Sequence, residues 1–304
     1  MSEATEPAAP AADGAVAPHK PLRAALWMLG AIVAFSSMAV AGREASFDLD
    51  TFEMMTYRSV IGVAIVLSVG AAAGTLRQIT PRRMGDQVLR NLAHFTGQNL
   101  WFHAVSVAPL ALVFALEFTS PLWTMAFAAL FLGERLTLWK LAAGLLGFAG
   151  ILGIVQPGAQ PLTAGMITAA LAAVFFATTA IFTKRLTRTE TITCILFWLT
   201  VIQLALGLAC SLWDGDMALP SEATLPWLGV IGVGGLLAHF CLTTALSIAP
   251  ASVVMPMDFA RLPAIAVVGV LVYAEPLQWG VLLGAVLIFC ANYLNILTSR
   301  APRR

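Results

Sequence analysis

Long apolar runs alternate with short polar segments along the whole chain. An apolar run of about 20 residues matches the hydrocarbon core of a bilayer when it is helical. Ten such runs lie near residues 24–42, 53–74, 88–107, 109–132, 138–156, 164–183, 192–212, 226–248, 250–273 and 277–298. Pro109 and Pro250 end runs that would otherwise be too long for one span. The pattern predicts an all-α integral membrane protein with ten transmembrane helices.

The composition agrees with that interpretation. The 304 residues are 59% hydrophobic and 11% charged, whereas about 25% of the residues of a soluble domain are charged. Residues 1–20 are rich in alanine and proline and predict a disordered tail, and residues 301–304 form a second short tail.

Basic residues sort to one side of the predicted bundle. If the ten runs alternate in direction, fourteen of the 17 basic residues fall on the same face: Lys20, Arg23, Arg77, Arg82, Arg83, Arg90, Arg135, Lys140, Lys184, Arg185, Arg188, Arg300, Arg303 and Arg304. The charged residues of the opposite face are mainly acidic, and Arg43 is the basic residue there. Because short cytoplasmic loops are enriched in lysine and arginine, we expect a multi-pass inner-membrane protein with both termini in the cytoplasm.

The sequence repeats itself at an offset of 141 residues. Ser106-Val107-Ala108-Pro109 matches Ser247-Ile248-Ala249-Pro250, and each proline is followed eight residues later by an acid, Glu117 or Asp258. The offset predicts two five-helix repeats, at residues 21–157 and 158–300. Because five is odd, the second repeat must be inverted relative to the first. Inverted repeats are typical of secondary transporters, whose solute site lies between the copies near the midplane.

Ionisable side chains inside the runs are the candidate site residues, since each costs about 2.5–3.5 kcal/mol to insert at the bilayer centre. Glu117 and Asp258 approach the midplane from opposite faces, and Gln98 maps onto His239 under the 141-residue offset. The predicted solute-binding residues are Arg58, Gln98, Glu117, His239, Asp258 and Arg261.

A purely structural role is the alternative to solute binding at several of these positions. Asp258 and Arg261 are spaced i, i+3 and share a helix face, so they form either a structural ion pair or part of a binding site. Arg58 either extends to the outer interface or faces the cavity, where it would pair with Glu117 or with an anionic solute group. His239, like other histidines here, could equally serve a hydrogen bond between helices.

Several segments resemble one transporter family. Pro121–Val155 contains a proline near the start of a helix, then Gly133-Glu134-Arg135, then a glycine-rich run. Together with Tyr57–Gly62 and Leu89–Phe95, this segment resembles the drug/metabolite transporter superfamily, and within it the EamA-type ten-helix carriers. The second copy departs from the pattern, because Ala274-Glu275-Pro276 stands in place of Gly-Glu-Arg. Met257–Leu262 resembles a branch that includes importers of riboflavin and of S-adenosylmethionine.

We therefore expect a secondary transporter that moves a small organic metabolite by alternating access, with riboflavin or S-adenosylmethionine uptake as substrate hypotheses and a proton gradient as one energy source. An exporter of amino acids or other metabolites and an intramembrane lipid-modifying enzyme are the alternatives. We assign no enzymatic activity, catalytic residue, metal site or cofactor. The expected partners are a small-molecule solute and the lipid bilayer, without nucleic acid, and a homodimer stays open.

Overall fold

Eleven helices account for most of the described chain. The computed structural model describes residues 21–132, 138–156, 161–213, 217–249, 254, 257–258, 261–276 and 278–299. The helices are α1 (Pro21–Ala45), α2 (Thr51–Ala72), α3 (Met84–Val107), α4 (Leu110–Glu117), α5 (Ser120–Leu132), α6 (Leu138–Val155), α7 (Ala164–Leu186), α8 (Ile192–Ser211), α9 (Leu225–Ile248), α10 (Arg261–Tyr273) and α11 (Trp279–Ser299). A short 3-10 helix at Leu76–Gln78 joins α2 to α3, and the described part of the chain contains no β-strand.

The helices fit a ten-span membrane protein. Six stretches are long and apolar enough to cross a bilayer, namely Leu22–Ala45, Thr51–Ala72, Leu110–Phe127, Ala164–Leu186, Ile192–Ser211 and Leu225–Ile248. Shorter apolar stretches lie in α6, α10 and α11. The tenth, α3, is 24 residues long and less apolar, because it buries polar side chains such as Arg90, His94 and Gln98 along one face.

The fourth predicted span is two helices rather than one. We expected a continuous helix over 109–132, but α4 ends at Glu117 and α5 begins at Ser120. Pro121 explains the break, since proline donates no backbone hydrogen bond and its ring clashes with the carbonyl four residues earlier, which here belongs to Glu117. The chain is therefore interrupted next to an acidic side chain.

The 141-residue offset recurs in the helix bounds. Adding 141 to the bounds of α3 gives those of α9, and the same shift converts α5 into α10. The start of α2 maps onto the start of α8, and their N-cap residues, Asp50 and Thr191, also correspond. Packing follows the same relation, because α1 lies along α9 as α7 lies along α3, while α6 packs on α11 and α2 on α8.

The connecting loops contact one another at two opposite ends of the bundle. At one end, Asp48 accepts hydrogen bonds from the Ser221 amide at 3.1 Å and the Thr224 hydroxyl at 2.7 Å. At the other, Thr80 donates to Glu190 at 3.0 Å, and Asp86 at the start of α3 pairs with Arg185 at the end of α7 at 3.3 Å. We call the first the acidic end and the second, which also holds Lys184, the basic end. The loops thus sort as the alternating ten-span count predicts.

Some predictions fall outside the described residues. These are the tails at 1–20 and 301–304, the Gly133-Glu134-Arg135 motif and the break at Pro250. The division into domains at residues 157 and 158 also stays a prediction.

Candidate functional site

A cavity lies among the helices of both halves. Its empty space, with the open solvent at its mouth included, is about 770 Å³. The side chains that line it come from α1, α3, α4, α5, α7, α9, α10 and the turn before α10. The cavity therefore draws on both repeats, as the inverted architecture requires.

Residues related by the 141-residue offset line the cavity in pairs. Two pairs keep their chemistry, Phe35 with Phe176 and Glu117 with Asp258. The other four pairs differ: Met38 and Thr179, Gln98 and His239, Trp101 and Leu242, and Ser120 and Arg261. Equivalent positions thus meet around one centre, while the side chains they carry make its two halves unlike. Such a cavity suits a solute that has no two-fold symmetry of its own.

Arg261 joins the acids of the two repeats. Its Nη2 donates to Glu117 Oε1 at 2.6 Å and to Asp258 Oδ2 at 2.5 Å. The other Glu117 oxygen accepts from Trp101 Nε1 at 2.7 Å. Asp258 lies in a 3-10 turn just before α10, so the predicted i, i+3 pair forms although the two residues do not share one continuous α-helix.

Aromatic rings surround the same guanidinium group. Its central carbon lies 4.8 Å from the ring centroid of Phe114, 5.1 Å from that of Phe35 and 5.5 Å from that of Phe118. Cations are attracted to the faces of aromatic rings at these distances. The Arg261 side chain is 3% exposed, so the two carboxylates and the three rings hold its charge in a fixed position.

Four rings run along the cavity wall in the order Phe35, His239, His94 and Phe176. Neighbouring ring centroids are 5.6, 4.5 and 6.1 Å apart. Both His94 ring nitrogens and His239 Nε2 are buried and have no hydrogen-bond partner among the described residues. A neutral imidazole offers one N–H donor and one acceptor, so these rings present polar atoms to whatever occupies the cavity.

Two further arginines flank this wall. Arg90 lines the cavity and donates to the Thr183 hydroxyl at 2.7 Å. Arg58 lies behind Gln98, to which it donates a short hydrogen bond, and it packs against Gly235 of α9. Neither arginine pairs with a carboxylate in the described part of the chain. The region therefore holds more positive than negative charge.

The cavity extends from the carboxylates toward the basic end. Arg90 and Thr183, which lie near that end of α3 and α7, line it. On the acidic side α4 closes the bundle, and every residue of α4 except Ala111 is buried. The acidic end is thus packed shut, and the cavity extends away from it toward the basic end.

The structure brings five of the six predicted site residues to the cavity: Gln98, Glu117, His239, Asp258 and Arg261. Arg58 is buried, is not among the residues that line this cavity and does not pair with Glu117; its pairing with an anionic solute group stays a prediction. Arg58 instead contacts Gln98 and the Met55 sulfur, which lies 3.5 Å from its Nη1. Whether these residues bind a solute stays a prediction.

Sequence reasoning missed Arg90, Phe35 and Phe176 as cavity residues. Arg90 was counted only as a topology signal, although it lies inside the predicted third span. The 141-residue offset relates Phe35 to Phe176 and would have identified both. In the described residues no group of three or more histidine, cysteine, aspartate or glutamate side chains could hold a metal ion.

The sequence profile of the EamA-like transporter family matches the chain twice, at residues 22–156 and 163–297. The riboflavin transporter of Vibrio cholerae is 29% identical over 275 residues, which cover 89% of this chain and 91% of that protein. The S-adenosylmethionine uptake transporter of Rickettsia bellii is 25% identical over 276 residues, covering 90% and 93%. The pseudopaline exporter of Pseudomonas aeruginosa is 32% identical over 230 residues, covering 72% and 77%.

Proposed function

The chain belongs to the EamA-like transporter family, and from that premise we propose that it takes up riboflavin across the inner membrane by alternating access. The observation that carries this proposal is the row of rings from Phe35 to Phe176 with its unpaired imidazole nitrogens. Riboflavin has a planar three-ring system that stacks on aromatic faces. Its pyrimidine edge alternates donors and acceptors, which the histidines complement.

Charge favours riboflavin over S-adenosylmethionine. Riboflavin is neutral, whereas S-adenosylmethionine has a net charge of +1, from a sulfonium and an ammonium group beside one carboxylate. Three of the four carboxylate oxygens of Glu117 and Asp258 already accept from Arg261 or Trp101. Among the described residues, a cationic solute would find one carboxylate oxygen without a hydrogen-bond partner, Asp258 Oδ1, and three nearby arginines. Like charges at short range raise the free energy of binding, so the site is better suited to a neutral solute.

Uptake requires the cavity to face each side in turn. Lysine and arginine concentrate at the basic end, and positively charged loops are typical of the cytoplasmic side. We infer that this end is cytoplasmic, so the cavity as it stands faces inward, ready to release solute into the cell. A carrier that exports amino acids or other metabolites would use the same two states in the opposite order.

Purified protein in proteoliposomes tests the proposal. We expect saturable uptake of radiolabelled riboflavin that is accelerated by unlabelled riboflavin on the far side, since counterflow distinguishes a carrier from a channel. An excess of S-adenosylmethionine should compete poorly. If S-adenosylmethionine is taken up and riboflavin is not, the proposed substrate is wrong, but the protein is still a carrier. Flux that does not saturate would argue against a carrier.

A further inference from the structure

Arg43 fastens several elements together at the acidic end. It lies in the last turn of α1 and is 9% exposed. Its Nε donates to the Val105 carbonyl at 2.8 Å, and another N–H donates to the Ala108 carbonyl. A third nitrogen forms an ion pair with Glu275. One side chain from the first repeat therefore binds both the end of α3 and a residue of the second repeat.

Glu275 is held ready for this contact. Its second carboxylate oxygen accepts from the Leu110 amide, the first in α4, at 2.8 Å. Ala274 has a left-handed backbone, with φ of 52°, and the Glu275 amide donates back to Gly269 at 3.0 Å. A Cβ atom at Gly269 would lie 2.6 Å from the carboxylate. The turn after α10 thus folds back over a glycine and points Glu275 at Arg43.

Lys184 occupies the equivalent position at the basic end. It lies 141 residues after Arg43, and its Nζ donates to the Leu246 carbonyl at 2.7 Å and to the Ala249 carbonyl at 3.0 Å. Those carbonyls are 141 residues after Val105 and Ala108. The cation and both of its carbonyl contacts are therefore reproduced at the basic end, while Glu134, which corresponds to Glu275, lies outside the described residues.

We propose that Arg43 and Glu275 form a latch that holds the acidic end of the transporter closed. The latched end is the one where α4 is packed shut, and the cavity extends away from it. Two packings related by the internal repeat give the two discrete states that alternating access needs. The inference rests on the proposed carrier mechanism but not on the identity of the solute.

Cysteine labelling tests the latch without any solute. Thr179 lines the cavity, and its hydroxyl bonds only within its own helix among the described residues, so Thr179→Cys is a mild reporter. A membrane-impermeant maleimide is applied from each side of oriented vesicles. Peptide mass spectrometry then reads position 179 separately from the four natural cysteines. When Thr179→Cys is the only substitution, we expect labelling from the basic end.

Two variants release the latch by different means. Glu275→Gln removes the charge, and Gly269→Ala displaces the carboxylate by its added methyl group. Each should raise labelling from the acidic end about tenfold, which corresponds to about 1.4 kcal/mol in the closing equilibrium. Glu44→Gln is the matched control, because Glu44 bonds Tyr273 at the same end and not Arg43.

Acidic-end labelling in both variants that stays at the level of the Glu44→Gln control would overturn the latch. If the Glu275→Gln chain cannot be recovered in folded form, the acidic-end labelling of Gly269→Ala and of Arg43→Lys is compared with that of the Glu44→Gln control instead. Loss of riboflavin transport with an intact labelling response would count against the substrate and leave the latch standing.

Discussion

Arg261 of the second repeat donates to Glu117 of the first at 2.6 Å, although the two residues are 144 positions apart in the sequence. The same Nη2 atom also reaches Asp258, the counterpart of Glu117 under the internal repeat. The acids that the repeat relates therefore share one cation, and that cation stands where the first repeat has Ser120. This asymmetric cluster separates the cavity from the packed acidic end.

Removing the polar atoms of His94 should weaken solute binding more than folding. His94→Phe keeps a ring against Phe176 and His239 but removes two nitrogens that have no hydrogen-bond partner among the described residues. We expect the KM for riboflavin uptake to rise about tenfold, in line with the loss of about 1–1.5 kcal/mol from one hydrogen bond. Thermal stability in detergent should change little. His103→Phe, on an exposed face of the same helix, is the control and should leave the KM unchanged.

Two glycines of α6, six residues apart, test the packing of this helix against α11. A Cβ atom at Gly150 would lie 2.8 Å from the Gly284 carbonyl, whereas one at Gly144 would meet its nearest neighbour, the Met125 methyl, at 3.6 Å. Gly150→Ala should lower the free energy of unfolding by about 1–3 kcal/mol through overpacking. Gly144→Ala should be neutral or stabilising by up to about 1 kcal/mol, because alanine favours the helix.

Thermal unfolding of both variants in the same detergent measures the difference. Equal melting temperatures for the two would show that α6 and α11 are not in close contact at Gly150.

The sequence predicted the helices well because lipid imposes a simple rule on them. A span must be apolar and of fixed length, and an internal repeat doubles the information about its register. The break after Glu117 was missed, although Pro121 signals it, since the run 109–132 is apolar throughout. Partners across the bundle could not be predicted at all. Nothing in the local pattern indicates that Arg58 contacts Gln98 or that Arg43 contacts Glu275, because such contacts depend on how distant helices pack.

Asp48 makes the acidic-end loops sensitive to pH. The hydrogen bonds from Thr224 and Ser221 lower the pKa of this exposed carboxyl below its ordinary value. Because the folded state has the lower pKa, the bonds stabilise the protein above the pKa of the unfolded chain, and that stability is lost as the pH falls through the folded pKa. Asp48→Asn should melt below the parent chain near neutral pH.

The difference between Asp48→Asn and the parent should shrink in acid. Melting curves from about pH 6 down to about pH 3 cover the ordinary aspartate pKa of about 3.9. A gap that stays constant over this range would mean that the charge of Asp48 has no part in holding the two loops together.

Reporter fusions test which end faces the cytoplasm. Fusions placed after Gly85 and after Arg304 should both show cytoplasmic activity, and one after Asp216 should show external activity. The expectation follows from the concentration of lysine and arginine at the basic end. A reporter found outside when fused after Arg304 would contradict both the even number of spans and the inward-facing orientation.

Substitutions in the charged cluster of Glu117, Asp258 and Arg261 can separate effects on folding from effects on transport. Arg261→Gln leaves two buried carboxylates without their cation and should destabilise the protein by about 3–5 kcal/mol. Asp258→Asn should cost less, because Arg261 keeps its bond to Glu117. The double variant Asp258→Asn with Arg261→Gln still leaves Glu117 charged, with Trp101 as its described donor, so it should remain destabilised.

The triple variant Glu117→Gln, Asp258→Asn and Arg261→Gln removes every charge of the cluster and should recover most of the lost stability, since no buried ion is left unpaired. Uptake should nevertheless stay abolished. Apolar residues would span lipid at lower cost than these three, so the cluster serves something other than insertion. Asp258 Oδ1 and Arg261 Nε have no hydrogen-bond partner among the described residues and are available to a solute. Surface-normalised riboflavin uptake and detergent melting curves are measured on all four variants. Near-normal uptake in a stable triple variant would show that the cluster only clips the two repeats together.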